Sequence, residues 1–171
     1  MRPGQPHRVK QLAAEVSKQL ISRHLPAPVQ ARIKPIDKVD HWQVEARRVP
    51  VRLHPGFPGQ WRLNMYWTLT AIPGEDKLET LESSIGLYAV GVPMLGGSDE
   101  RCLVRYDTDN RRPGPHIGPL GPHLNVSQPG KLGDRVHYVL PGLAQPHWRL
   151  ADVLDFLLSD RLVQDLTGRL S

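Results

Sequence analysis

Hydrophobic and polar positions along this chain follow a helical period, then a strand period, then a helical period again. Val9, Leu12, Ala13, Val16 and Leu20 recur at helical spacing, with Lys10, Gln11, Ser17 and Lys18 off that stripe. The spacing predicts an amphipathic helix from about Arg8 to His24, stopped by Pro26 and Pro28. Residues 29–40 alternate weakly at Val29, Ala31 and Ile33 before Pro35 and read as a connector. From His41 the period is two: Trp42, Val44 and Ala46 alternate with Gln43, Glu45 and Arg47, and Val49, Val51 and Leu53 resume one residue out of step. The slip predicts a bulge near Arg47-Arg48, and Pro50 predicts an edge. After the turn His54–Gly59, Leu63, Met65, Trp67, Leu69 and Ala71 share one face, and Arg62, Asn64, Tyr66, Thr68 and Thr70 the other. The two long strands are expected to form an antiparallel hairpin.

Pro73-Gly74 ends the second strand, and Glu75 to Glu82 reads as a short acidic helical turn. Ser84 to Val92, Arg101 to Tyr106, His123 to Val126 and Arg135 to Leu140 read as further strands. Leu150, Val153, Leu154, Leu157, Leu158 and Leu162 mark a closing helix from about Arg149 to Leu166. The fold expected is α+β: a curved antiparallel sheet of about five or six strands, covered on one face by the N- and C-terminal helices. A length of 171 residues fits a single domain, 1–171, with helix and connector over 1–40, sheet over 41–140 and the second helix within 141–171.

With 39% hydrophobic and 23% charged residues the composition is that of an ordinary globular chain, and no apolar run approaches the roughly 20 residues that span a bilayer. The start, Met1 to His7, has no apolar signal core, and the lone Cys102, in the run Cys102-Leu103-Val104, reads as a buried inert thiol. A reducing, cytoplasmic setting is therefore expected. Charge is uneven: residues 1–60 hold eleven Lys and Arg against four Asp and Glu, whereas residues 61–171 hold eleven against thirteen. A basic front third attracts polyphosphates, so nucleic acid, RNA rather than DNA, is the expected partner, with Arg47, Arg48 and Arg52 as its surface.

Candidate chemistry concentrates between residues 105 and 137. Asp107-Thr108-Asp109-Asn110 resembles a calcium loop, but Arg112 stands where its glycine is needed and Gly118 where its glutamate is needed. Asx turns at Asp107 and Asn110 are the simpler reading. His116, His123 and His137 are the candidate catalytic residues; side by side in a sheet, His123 and Asn125 would share a face, with His137 across from them. Two imidazoles can divide acid and base roles around a ribose 2′-hydroxyl and its phosphate without a metal. Arg105, Arg111, Arg112, Lys131 and Arg135 are near enough in sequence to contact phosphate, with Asp107, Asn110 and Asn125 completing a binding set. The same histidines could hold zinc, but no Cys joins them and their spacing is not a standard one, so neither metal nor cofactor is expected.

The order strand, Arg105-Tyr106-Asp107, Asn110, Pro115-His116 or Pro122-His123, short strand, Trp148 and leucine-rich helix resembles the small bacterial TumE-like toxin proteins. The resemblance covers about residues 101–162, and Thr108-Asp109 interrupts the family's Asp-Asn step. It implies a cytoplasmic toxin acting on RNA and neutralised by an antitoxin. The expected function is thus that of a nucleic-acid-interacting, toxin-like, metal-independent ribonuclease. The alternative is a non-catalytic interaction subunit that docks a larger protein or nucleoprotein assembly through the edge strand at Arg47 to Leu53.

Overall fold

A computed structural model of the chain describes residues 5–36, 39–51, 60–75, 77–90, 100–110, 121–127, 135–139 and 149–159. Helix α1 (Gln5–Ile21) is followed by seven strands, β1 (Val29–Ile36), β2 (Val39–Val51), β3 (Gln60–Ala71), β4 (Leu78–Val90), β5 (Glu100–Asp109), β6 (Gly121–Ser127) and β7 (Arg135–Val139), and then by helix α2 (Leu150–Leu157). The strands form one sheet in chain order, every neighbouring pair antiparallel. This is an α+β meander, one or two strands wider than the alternation alone predicts.

Two expected elements are corrected. The connector over 29–40 is largely strand β1, paired from Val29↔Ala46 to Ile36↔Val39. Its alternation is weak because it is the edge: Ala31, Arg32 and Ile33 are exposed, so no buried face selects a regular apolar pattern. The acidic helical turn over 75–82 is instead a hairpin bend followed by the start of β4, where Leu78, Glu79 and Thr80 pair with Ala71, Thr70 and Leu69. Pairing with β3 outweighs the helical preference of Glu79 and Glu82. In the bend Ile72 N–H donates to Lys77 O (3.1 Å), and Gly74 has φ +83°, a conformation glycine adopts without a Cβ penalty.

The bulge lies where the slip in alternation puts it. The β2–β3 register shifts between Ala46 and Val49, Arg48 has φ +56°, and its N–H is taken up by Asn64 Oδ1 at 2.7 Å. Pairing with β1 stops at Ala46, so Pro50, which has no N–H to give, pairs on one side alone, with Arg62. A second shift, at Thr68/Leu69, leaves Leu81 as the extra residue; its carbonyl accepts the Asn110 N–H at 2.9 Å.

Alternation then separates two faces. Val44, Ala46, Val49, Leu63, Met65, Trp67, Leu69, Ile85, Leu87, Val104, Tyr106 and Leu124 form one core with Val9, Val16 and Leu20 of α1 and Val153, Leu154 and Leu157 of α2. Burying each such aliphatic side chain contributes about 1.5–3 kcal/mol, which is what holds the helices on this face. Arg23 joins them at the rim, donating to Asp155 Oδ1 (2.6 Å) on α2 and to Gln19 O on α1. α2 starts at Leu150, one residue from the expected position, with the Arg149 N–H capped by Asp152 Oδ2 at 3.1 Å. It ends at Leu157 with Leu158 as its C-cap, short of the expected end near Leu166, because Leu158 and Ser159 already leave the helix; residues 160–166 lie outside the described residues.

α1 ends in a left-handed cap. His24 has φ +56°, and Leu25 N–H returns to Leu20 O at 3.0 Å, a Schellman closure with histidine where glycine is usual. His24→Gly is expected to stabilise the fold by about 0.5–1 kcal/mol, the left-handed cost of roughly 1–2 kcal/mol less the added freedom of the unfolded chain. The check is the urea midpoint, which should rise; a lower midpoint contradicts this account of the cap.

Candidate functional site

The sheet face turned away from the helices carries His41, Gln43, Glu45, Thr68, Ser84, Asp107, Asp109, His123 and Asn125, all buried although polar. Register arranges them in rows across the strands. Glu45, Tyr66, Ser84, Asp107 and His123 face one another from β2 to β6, and Asn64, Gly86, Arg105 and Asn125 form the next row. Buried polar side chains are stabilised there where they satisfy each other. Glu45 does so between Arg47 Nε (2.8 Å) and Arg32 (3.2 Å), and Arg32 also donates to Gln43 Oε1.

At the β5–β6 pair these rows produce a compact cluster around one carboxylate oxygen. Arg105 donates from Nε to Asp107 Oδ2 at 2.7 Å, its Nη2 forms an ion pair with the same oxygen at 2.7 Å, and Asn125 Nδ2 also donates to it. His123 Nε2 stands 3.9 Å from it. Asp107 Oδ1 and Asn125 Oδ1 are buried and accept no hydrogen bond among the described residues. A buried acceptor without a donor costs about 1–3 kcal/mol, so the cluster has two places where a donor would be favourable. Arg105, with about a quarter of its side chain exposed, is its solvent-facing member.

Tyr88 and Cys102 extend the cluster. A register shift between Leu87 and Tyr88 sets Cys102 opposite Tyr88, and the Tyr88 hydroxyl interacts with both the Cys102 thiol and Arg105. Burial, reinforced by Cys102, pushes the phenol up to about 12, against the smaller opposing pull of Arg105. Burial alone would lower the proton affinity of the Arg105 guanidinium, but Asp107, joined by Cys102 and Tyr88, outweighs it and the net shift is upward. Gly86 makes the room: a Cβ there would sit 2.8 Å from Tyr88 Cε2 and 3.1 Å from Arg105 Cγ. Neither Gly86 nor Tyr88 carries a motif in the sequence, although a lone glycine inside a strand signals close approach by a neighbour.

Of the residues singled out in sequence, Arg105, Asp107, His123 and Asn125 come together. Asn110 does not join them: it ends β5, donates from Nδ2 to Thr80 O at 3.0 Å, and faces a cleft on the helix side. The Asx-turn reading of Asp107 also fails, since the residue lies within β5 and its carboxylate bonds across strands. Arg47 and Arg48 are exposed at the β2 bulge, three strands from β5, with Arg47 paired to Glu45. His137 is opposite Asn125 in the backbone register and Arg135 opposite Ser127. His116, Arg52, Arg111, Arg112 and Lys131 lie outside the described residues.

Cys102 is buried, as expected from its apolar neighbours. Among the described residues no group of three or more His, Cys, Asp or Glu is placed to hold a metal ion, and no helix is long and apolar enough to cross a membrane. No known protein family, curated protein or solved structure matches the chain.

Two outcomes test this geometry. Because the Tyr88 value is raised on folding, the stability it contributes is complete below the ordinary value of 10.0 and is lost as pH climbs toward about 12. Tyr88→Phe should flatten that decline in urea titrations between those pH values, leaving a residual slope from Tyr106, whose burial shifts it in the same direction. Separately, Gly86→Ala should destabilise by about 1–3 kcal/mol through overpacking. The penalty should shrink in a Tyr88→Ala background; a purely additive double-mutant cycle would show that the two side chains do not compete for that space.

Proposed function

We propose that the protein engages RNA and cleaves it by acid-base chemistry at the Asp107 cluster. The observation that carries this reading is the convergence of Arg105, Asn125 and His123 on one buried carboxylate oxygen. Asp107, 3.9 Å from His123 Nε2, orients the imidazole ring, the general role of a carboxylate beside a catalytic histidine. With Nε2 turned toward Asp107, His123 takes the proton of a ribose 2′-hydroxyl on Nδ1, and the 2′-oxygen attacks the adjacent phosphorus. The 5′-oxygen leaves and takes a proton from His137, giving a 2′,3′-cyclic phosphate and a free 5′-hydroxyl. Arg105 offsets the charge that builds on the phosphoryl oxygens. Every step uses side chains of this chain and none requires a metal.

The resemblance to TumE-like toxins supports the same reading and adds an antitoxin partner in a cytoplasmic setting. His116, Arg111, Arg112, Lys131 and Arg135 enter this proposal as further acid-base and phosphate groups on sequence grounds. The surplus of basic residues in the first 60 positions favours initial capture of the polyanion, with Arg47, Arg48 and Arg52 as its surface.

A second reading is a non-catalytic interaction subunit. It is favoured by the end of β2, where Val49–Val51 runs past the last β1 pair beside exposed Arg47 and Arg48.

The deciding experiment incubates labelled RNA with wild type and His123→Ala, with and without EDTA, at two salt concentrations. Cleavage by wild type that survives EDTA, and falls at least about 100-fold in His123→Ala with the thermal transition retained, is the expected result. Undiminished cleavage in the variant overturns the role of His123. Salt-sensitive RNA binding without turnover in wild type points to the interaction subunit.

A further inference from the structure

On the opposite side of the sheet from Asp107, beneath the first turn of α2, lies a cleft of about 390 Å³. It is lined by Trp67, Ser83, Ile85, Tyr106 and Thr108 from the sheet and roofed by Leu150 and Val153, with Thr80, Asn110 and Pro122 completing its wall. That volume falls within the roughly 300–1,000 Å³ of small-molecule sites.

The cleft has a cause in the register. Along the core face, one row across β4 and β5 holds Leu87 opposite Val104, and the next holds Ile85 opposite Tyr106. In the row under α2 the same positions are Ser83 and Thr108, flanked in register by Trp67 and Pro122. Two small hydroxyl residues therefore stand where the pattern supplies large apolar ones. Each choice is costly for folding, because an unfilled core position forfeits packing and a hydroxyl in apolar surroundings needs a partner. Both costs fall in one row, below one helix turn, and together they make an opening with polar groups on its floor.

The lining also selects its ligand. Among the described residues the lining holds no Asp, Glu, Lys, Arg or His, so no described side chain offers a counter-charge to a phosphate or a carboxylate. Its hydroxyls and the Asn110 amide both donate and accept hydrogen bonds; Thr108 is bonded to Tyr106 and Asn110 Nδ2 to Thr80 O, and the capacity these bonds leave suits a ligand with a polar edge better than a purely aliphatic one. Trp67 and Tyr106 offer aromatic surface, and Ile85, Pro122, Leu150 and Val153 offer apolar walls that suit a flat ring better than a polyol. We propose that this cleft binds an uncharged flat heterocycle of the nucleobase class, as the free base or its nucleoside, stacked on the aromatic surface with its polar edge toward Ser83 and Thr108.

The site is independent of the proposed ribonuclease centre, since the two occupy opposite faces of the sheet. Nucleoside binding without RNA cleavage would leave this proposal intact and remove that one.

The test uses the full chain titrated with adenosine, guanosine, cytidine and uridine, with glucose as the polyol control, read by amide and indole NMR shifts. The expected result is saturable movement of the Trp67 indole and of the Ser83 and Thr108 amides with at least one nucleoside, and none with glucose. Ser83→Leu, which fills the cleft, should abolish that binding. Ser83→Ala, which removes only the hydroxyl and decides the matter if the leucine variant fails to fold, should weaken it about 2- to 10-fold. Absence of saturable shifts with all four nucleosides, saturation by glucose instead, or undiminished affinity in a folded Ser83→Leu or Ser83→Ala protein would each overturn the proposal.

Discussion

The register of β5 between β4 and β6 is the constraint from which both faces of this molecule take their chemistry. Gly86↔Arg105↔Asn125 and Ser84↔Asp107↔His123 set the polar cluster on one side. Ser83↔Thr108↔Pro122 and Ile85↔Tyr106↔Leu124 set the floor of the cleft on the other. Because successive strand residues alternate faces, slipping β5 by one position would turn Arg105 and Asp107 into the core and Tyr106 and Thr108 out of it. The cost of burying an ion pair against helices on one side, with aromatic area lost on the other, is what fixes the register so firmly.

Departures from regular pairing refine that frame. The shift at Ala46/Val49 keeps Val49 and Val51 in the core after Arg47 and Arg48 have passed outside it, and Asn64 takes up the N–H that the bulge releases. The shift at Leu87/Tyr88 sets Cys102 beside the Tyr88 hydroxyl and next to Arg105. The shift at Thr68/Leu69 frees the Leu81 carbonyl for Asn110, fixing the end of β5 over the cleft. An extra residue in each case re-aims side chains that strict alternation would send elsewhere.

How much was legible in sequence depended on whether an element had one buried face. Helix α1 and strand β3 show clean stripes because one side of each meets the core, and the Arg47-Arg48 bulge showed as a break in an otherwise regular alternation. β1 was hidden because an edge strand with exposed Ala31, Arg32 and Ile33 carries no such stripe. The start of β4 was hidden because Glu79 and Glu82 favour helix locally, while Thr70 and Thr68 on β3 decide otherwise: Glu79 pairs with Thr70 in the ladder, and Glu82 accepts a hydrogen bond from the Thr68 hydroxyl. At the candidate site, His123 and Asn125 were legible as one-face neighbours two residues apart. Their meeting with Asp107 was not, because that depends on which residue of β5 stands opposite.

Alternation, turn residues and helical spacing by themselves determined that this chain is α+β with an antiparallel sheet between two amphipathic helices, since these are local properties of a polymer that must hide its apolar side chains. Tertiary structure alone decided that Asp107 gathers Arg105, Asn125 and His123, that Gly86 yields space to Tyr88, and that Ser83 and Thr108 open a cleft under α2. Those outcomes are set by pairing between segments separated along the chain, and a one-residue change in register, which leaves every local pattern intact, would exchange them all.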